Sequence, residues 1–115
     1  MKQKAFTIDL NSRIAIYVPS TMDVDQSINN DVYKLRTLRQ LSEMFGGATT
    51  TPAIGGWVSA SGALVVEHVD IVYSFCTSEQ LTEKIDDIIR ICQDLKKDMG
   101  QEAITLEVNG GVKFI

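Results

Sequence analysis

Apolar and polar positions follow two rhythms along this chain, one of two residues and one near 3.6. Their succession predicts strands and helices in a definite order. Residues 4–10 alternate as a short strand, and Asn11-Ser12 predicts a turn. Residues 13–18 place Ile14, Ile16 and Val18 on one face of a second strand, which Pro19 stops because proline has no N–H for an interior ladder. Residues 19–30 are polar and read as a loop. Val32, Leu35, Leu38, Leu41 and Phe45 then recur at helical spacing, with Asn30 as N-cap and Gly46-Gly47 as the stop.

Residues 48–58 carry Thr49, Thr50, Thr51 and Pro52, which predict an irregular, edge-like strand. Ser59-Ala60-Ser61-Gly62 is a hairpin turn into the clearest strand, residues 63–76. Its parity sets Val65, Val69, Ile71, Tyr73 and Phe75 against Leu64, Val66, His68, Asp70, Val72, Ser74 and Cys76. Thr77 and Gln80 have the spacing of a capping box. A helix to Met99 follows, with Leu81, Ile85, Ile88, Cys92, Leu95 and Met99 as its stripe and Gly100 as its end. Ile104, Leu106 and Val108 alternate, and Asn109-Gly110 turns the chain into residues 112–115.

This order predicts a single α+β domain over 1–115: a ferredoxin-like β-α-β-β-α-β antiparallel sheet, two helices on one face and an extra strand at each end. The face of the 63–76 strand bearing Leu64, Val66, Val72 and Cys76 is expected to be the open one. It is too apolar for water, so a homodimer or higher oligomer is expected through it.

The net charge is −4, which disfavours nonspecific binding to nucleic acid. Lys34, Arg36 and Arg39 form the one dense basic cluster, diluted by Glu43, and read as a solvated helix face. No run approaches the ~20 apolar residues of a membrane span, and the first residues are not expected to act as a signal peptide. Cys76 and Cys92 have neither CxxC spacing nor framework density. A reducing, cytoplasmic location is expected.

The stretch from Phe45 to Trp57 is rich in glycine and threonine, whose N–H and hydroxyl groups suit an anion such as phosphate. It lacks the lysine of a Walker loop and has no GxGxxG, so a helix end followed by a strand explains it as well. Candidate ligand residues are Gly46, Gly47, Thr49, Thr50 and Thr51, with Trp57 or Tyr17 to stack and Arg13, Arg36 or Arg39 to neutralise charge. Glu67 shares parity with apolar Val65, Val69 and Ile71, so it is either a marginal residue in solvent or a ligand acceptor. His68 and Asp70 share the opposite face. Without a nucleophile or a third ligand they are a weak basis for metal or hydrolytic chemistry.

Trp57, Gly62-Ala-Leu-Val-Val-Glu67, Ile71-Val-Tyr73 and Gly100-Gln-Glu-Ala103 resemble a family of small, uncharacterised bacterial and phage proteins, and Phe-Gly-Gly-Ala-Thr-Thr upstream matches the same group. The resemblance implies a ferredoxin-like sheet and brings no catalytic residues with it. The expectation is therefore a non-enzymatic protein without cofactor. It would bind a small anionic, phosphorylated or nucleotide-like ligand as an oligomer, in the manner of a phage counter-defence protein that sequesters a nucleotide signal. An acidic inhibitor of a host nuclease or defence factor is one alternative. A small enzyme using His68 and Asp70, or Glu67, is another.

Overall fold

Strand β1 (Ser12–Pro19) lies at the middle of the architecture. The structure, a computed structural model, describes residues 8–22 and 26–115. A five-stranded antiparallel sheet of order β4-β5-β1-β6-β7 joins it to β4 (Thr49–Val58), β5 (Leu64–Cys76), β6 (Thr105–Val108) and β7 (Gly111–Phe114). Helices α1 (Asp31–Phe45) and α2 (Ser78–Asp98) complete an α+β fold compatible with the ferredoxin-like plan. Strand β7 is an addition to that plan. The N-terminal strand expected over residues 4–10 lies largely outside the described residues, and 8–10 are not in a strand. The 19–30 loop holds a small pair, β2 (Thr21–Met22) and β3 (Gln26–Ser27). Among the described residues no helix is long and apolar enough to cross a membrane.

Burial follows from parity in β1. Ile14, Ile16 and Val18 are inaccessible, against Leu41 of α1 and Ile88, Cys92 and Leu95 of α2. Each such side chain contributes roughly 1.5–3 kcal/mol before conformational entropy is subtracted. The β1–β5 register pairs Ile16 with Val72 and Ile14 with Ser74, and partners opposite one another share a face. Val72, Ser74 and Cys76 therefore lie under the helices. The open face carries Val65, Glu67, Val69, Ile71, Tyr73 and Phe75 instead. This reverses the expected assignment of faces. Strand β5 is apolar on both sides, so its own sequence does not fix which side is covered; β1 does.

The helix ends are chemically explicit. Gln80 N donates to Thr77 Oγ1 at 3.1 Å and Thr77 N donates to Gln80 Oε1 at 2.9 Å, the expected capping box. Gly46, at φ +85°, closes α1 by donating its N–H to Ser42 O at 2.8 Å. At the start of α1 the side chain of Asn30 makes no cap. Asn29 Oδ1 accepts from Asp31 N at 2.9 Å, while Asn30 Nδ2 donates to Pro19 O at 3.0 Å and Asp70 Oδ2 at 2.9 Å. The buried stripe of α1 is also rotated from its expected position. It centres on Thr37 and Leu41, whereas Val32 and Leu35 are exposed. Thr37 tolerates burial because its hydroxyl donates to Tyr33 O at 2.8 Å.

Strands β4 and β5 pair over ten residues, from Thr49–Tyr73 to Val58–Leu64. The helices cover only the end nearer Tyr73. Beyond it the ribbon projects as an arm with both faces in solvent: Ile54, Val58 and Leu64 are each about two-thirds exposed, and Trp57 more than half. The molecule measures 60 × 28 × 21 Å with a radius of gyration of 16.0 Å. A compact chain of this length would have about 13 Å.

Candidate functional site

The site runs along this arm, from Glu67 to Trp57 beside its turn. On the open face Trp57 pairs with Val65 and Gly55 with Glu67. Trp57 and Glu67 are thus diagonal neighbours, within reach of each other's long side chains. Between them Gly55 leaves a gap, since a Cβ built there would meet nothing within 4 Å. An indole face, a carboxylate and bare backbone therefore adjoin one another.

Two cavities meet at Glu67. One, of about 440 Å³, lies among Trp57, Val65, Val66, Glu67 and His68 of the arm and Ser20, Thr21 and Ser27 of the loop. The other, of about 290 Å³, lies among Pro19, Ser20, Thr21, Glu67, His68 and Val69, the Gln101-Glu102-Ala103 connection, and Thr105 and Phe114. Ser20, Thr21, Glu67 and His68 line both. Ser20 Oγ donates to His68 O at 2.6 Å, and Gln101 Nε2 donates to Thr21 O at 2.9 Å. Glu67 and Glu102 bring two carboxylates, and among the described residues neither cavity is lined by a lysine or an arginine. Such a lining favours a cation over an anion.

No protein-family model and no curated protein sequence matches the chain. Two solved structures share its fold. One, 20% identical, matches 96% of this chain and 95% of its own length with a TM-score of 0.63, and holds S-methyl-5'-thioadenosine. The other, 16% identical, matches 99% and 95% with a TM-score of 0.63 and is in the apo state. Both are named as a phage SAM lyase. The expectation of a non-enzymatic protein is corrected by this comparison, since the neighbours along nearly the whole chain are enzymes.

Of the residues expected to bind ligand, the structure brings Trp57 and Glu67 together and separates the rest. Gly46, Gly47 and Thr49 line a different cavity of about 360 Å³ with Leu10, Phe45, Ala48, Ser74 and Phe75. Thr49 is eight residues from Trp57 along β4, roughly 27 Å at strand rise. Thr51 shares the open face with Thr49, while Thr50 faces the helices and its buried hydroxyl finds no partner among the described residues. Arg36 and Arg39 lie on α1, across the sheet from Trp57, and are paired with Asp98 at 3.0 Å and Glu43 at 2.9 Å. The anticipated anion loop with its arginines is therefore not assembled.

Tyr17 is on the open face, where its hydroxyl donates to Glu107 Oε1 at 3.0 Å. Partial burial, then this bond to a carboxylate, raises the phenol's pKa above its ordinary value. Arg13 lies over the Tyr73 ring at 4.2 Å. The His68–Asp70 pair does not form, because Asp70 accepts from Asn30. Among the described residues no group of three His, Cys, Asp or Glu side chains could hold a metal. Sequence reasoning missed Ser20, Thr21, Gln101 and Glu102. Gln101 and Glu102 stood within a conspicuous Gly-Gln-Glu-Ala motif, whereas Ser20 and Thr21 had no signal beyond loop composition.

Proposed function

We propose that the protein is a lyase acting on S-adenosylmethionine or a closely similar adenosyl sulfonium, at the joined cavities around Glu67. The observation that carries this reading is the lining: two carboxylates, an adjacent tryptophan and, among the described residues, no lysine or arginine. S-adenosylmethionine bears a sulfonium, an ammonium and one carboxylate, and is cationic overall. Glu67 and Glu102 offset that charge, and Trp57 offers a face for the adenine. A phosphorylated ligand would meet two carboxylates here and neither lysine nor arginine among the described residues.

The chemistry asks little of the protein. When the bond from sulfur to the amino-acid carbon breaks, the electron pair goes to sulfur and the sulfonium departs as a neutral thioether, so no acid is needed. The fragment's own carboxylate attacks that carbon as the bond to sulfur breaks, closing a lactone, so charge balances and no proton is transferred. The protein's share is to bind, orient and keep water out.

Exclusion of water links this reading to assembly. A two-stranded ribbon with both apolar faces in solvent is not stable by itself. In the proposed functional state a second copy of the chain covers the arm, including the flank of the site at Trp57 and Val66. Phage or mobile-element origin belongs to the same proposal.

The test is to incubate purified protein with S-adenosylmethionine and identify the products by mass spectrometry. Formation of S-methyl-5'-thioadenosine together with an amino-acid fragment that carries no solvent oxygen on the carbon released from sulfur is expected. A thermal shift with the product should accompany it, since a ligand at 100 times its Kd adds about 2.7 kcal/mol. No turnover together with no shift would remove the reading.

A further inference from the structure

The loop after β1 forms one wall of both cavities, yet it is held with little help from the sheet ladder. Pro19 ends β1, and beyond it the wall is tied to strand β5 and to the α2–β6 connection by side-chain bonds. Ser20 Oγ donates to His68 O at 2.6 Å on the strand side. Gln101 Nε2 donates to Thr21 O at 2.9 Å, with Thr21 Oγ1 at 3.4 Å and Met99 O at 3.2 Å, on the side of the α2–β6 connection. Ile28 N closes the loop on Ser20 O at 2.8 Å.

Two backbone carbonyls beside the Gln101 carboxamide fix its orientation, because only the nitrogen end can face them. Both of its hydrogens are therefore engaged by the protein. Its remaining polar atom, Oε1, accepts no hydrogen bond from the described residues, and Gln101 lines the smaller cavity between Thr21 and Glu102. The residue thus has two functions to offer. It fastens the wall, and it adds an uncharged acceptor to a site already supplied with carboxylates.

We propose that Gln101 is a positioning residue of this site, holding the Ser20–Thr21 wall against the Glu67 strand and leaving Oε1 as an acceptor for a donor group of the ligand. This rests on the reading of the cavities as a ligand site. In a Gln101→Met variant the shape is kept and the N–H groups are lost. In Gln101→Glu acceptors face the carbonyls of Thr21 and Met99. Ser20→Ala releases the same wall from the other side.

Hydrogen exchange of the ligand-free protein tests the fastening. Exchange at the Ile28 amide should quicken roughly tenfold in Gln101→Met and in Ser20→Ala, with the amides of α2 unchanged. Binding of S-methyl-5'-thioadenosine tests the positioning. Its Kd should rise roughly tenfold in both variants, and in turnover KM should rise more than kcat falls. Unchanged exchange at Ile28 overturns the proposal. So does quickened exchange with unaltered affinity. If wild-type protein binds neither S-adenosylmethionine nor its thioether product, the functional reading fails and the positioning role with it, whatever the exchange shows. Should Gln101→Met unfold, as read from loss of protection throughout α2, Ser20→Ala decides the question by the same two measurements.

Discussion

Gly55 lies directly across the β4–β5 ladder from Glu67, and beyond its two chain neighbours no described residue has an atom within 4 Å of where its Cβ would be. A glycine in a strand weakens it by roughly 0.5–1 kcal/mol relative to alanine. This one also leaves open the space between Trp57 and Glu67. A Gly55→Val substitution should therefore separate stability from function. The variant should melt at the same temperature or slightly higher, gaining up to about 1 kcal/mol from strand propensity. It should lose S-methyl-5'-thioadenosine binding by at least about tenfold, as measured by calorimetry.

Glu67 is exposed on the open face and carries no structural bond among the described residues, so its removal costs the fold little. Its expected contribution is to a cationic ligand. Hydrogen bonds to charged groups are worth about 1.5–3 kcal/mol, so Glu67→Gln should weaken ligand binding by roughly 10- to 100-fold. The melting temperature should stay the same. A fall in melting temperature with affinity intact would assign Glu67 to the fold instead.

Thr77 and Gln80 exchange two hydrogen bonds at the start of α2, the helix that supplies Ile88, Cys92 and Leu95 to the core. Thr77→Ala removes the side-chain acceptor and should cost about 1 kcal/mol. For a domain of this size that is a drop of about 4 °C in thermal denaturation. An unchanged melting temperature would mean that water replaces the cap at no cost.

Local rules made most of the fold legible. The capping box, the Asn109-Gly110 turn and the stripe of α2 each depend on residues a few positions apart, and the structure contains all three. What failed required knowledge from another strand. Strand β5 is apolar on both faces, so only its register with Ile14 and Ile16 of β1 decides that Val72 is buried and Ile71 is not. The candidate site was half legible. Trp57 and Glu67 stood out by residue type, and one hairpin brings them together. Ser20 and Gln101 approach the site from distant parts of the chain, held by hydrogen bonds across 48 and 80 residues. The glycine–threonine stretch misled because a helix stop and the beginning of an edge strand use the same residues as an anion loop.

Cys92 is fully buried beneath the sheet, and desolvation pushes its thiol up to about 12 from an ordinary value of about 9; burial also raises Cys76. Below pH 9 both folded and unfolded chains hold the proton, and the full stability is present. Above pH 9 the unfolded chain loses it and the folded one does not, so stability should fall steadily until about pH 12. Urea denaturation across this range should show the decline. Cys92→Val should make it shallower, leaving the parts due to Cys76, Tyr17 and Lys34, whose values are also raised in the fold. Both thiols should resist a thiol reagent in the folded protein at neutral pH and react once it is unfolded.

The arm offers the most direct test of assembly. Ile54, Val58 and Leu64 are each about two-thirds exposed on the face of the arm that extends beyond the helices. Apolar area removed from water is worth about 25 cal/mol per Å², and side chains of this size lose it in pairs when two copies meet. Polar groups at Ile54 and Leu64 would remove that gain without touching the core, which lies under α1 and α2. Wild-type protein should sediment as an oligomer. The double variant Ile54→Ser, Leu64→Ser should sediment as a monomer with unchanged far-ultraviolet circular dichroism. Because Trp57 and Val66 flank the larger cavity from the same arm, the monomer should also bind S-methyl-5'-thioadenosine less tightly. A wild-type monomer that binds the ligand fully would show that the arm serves neither assembly nor closure of the site.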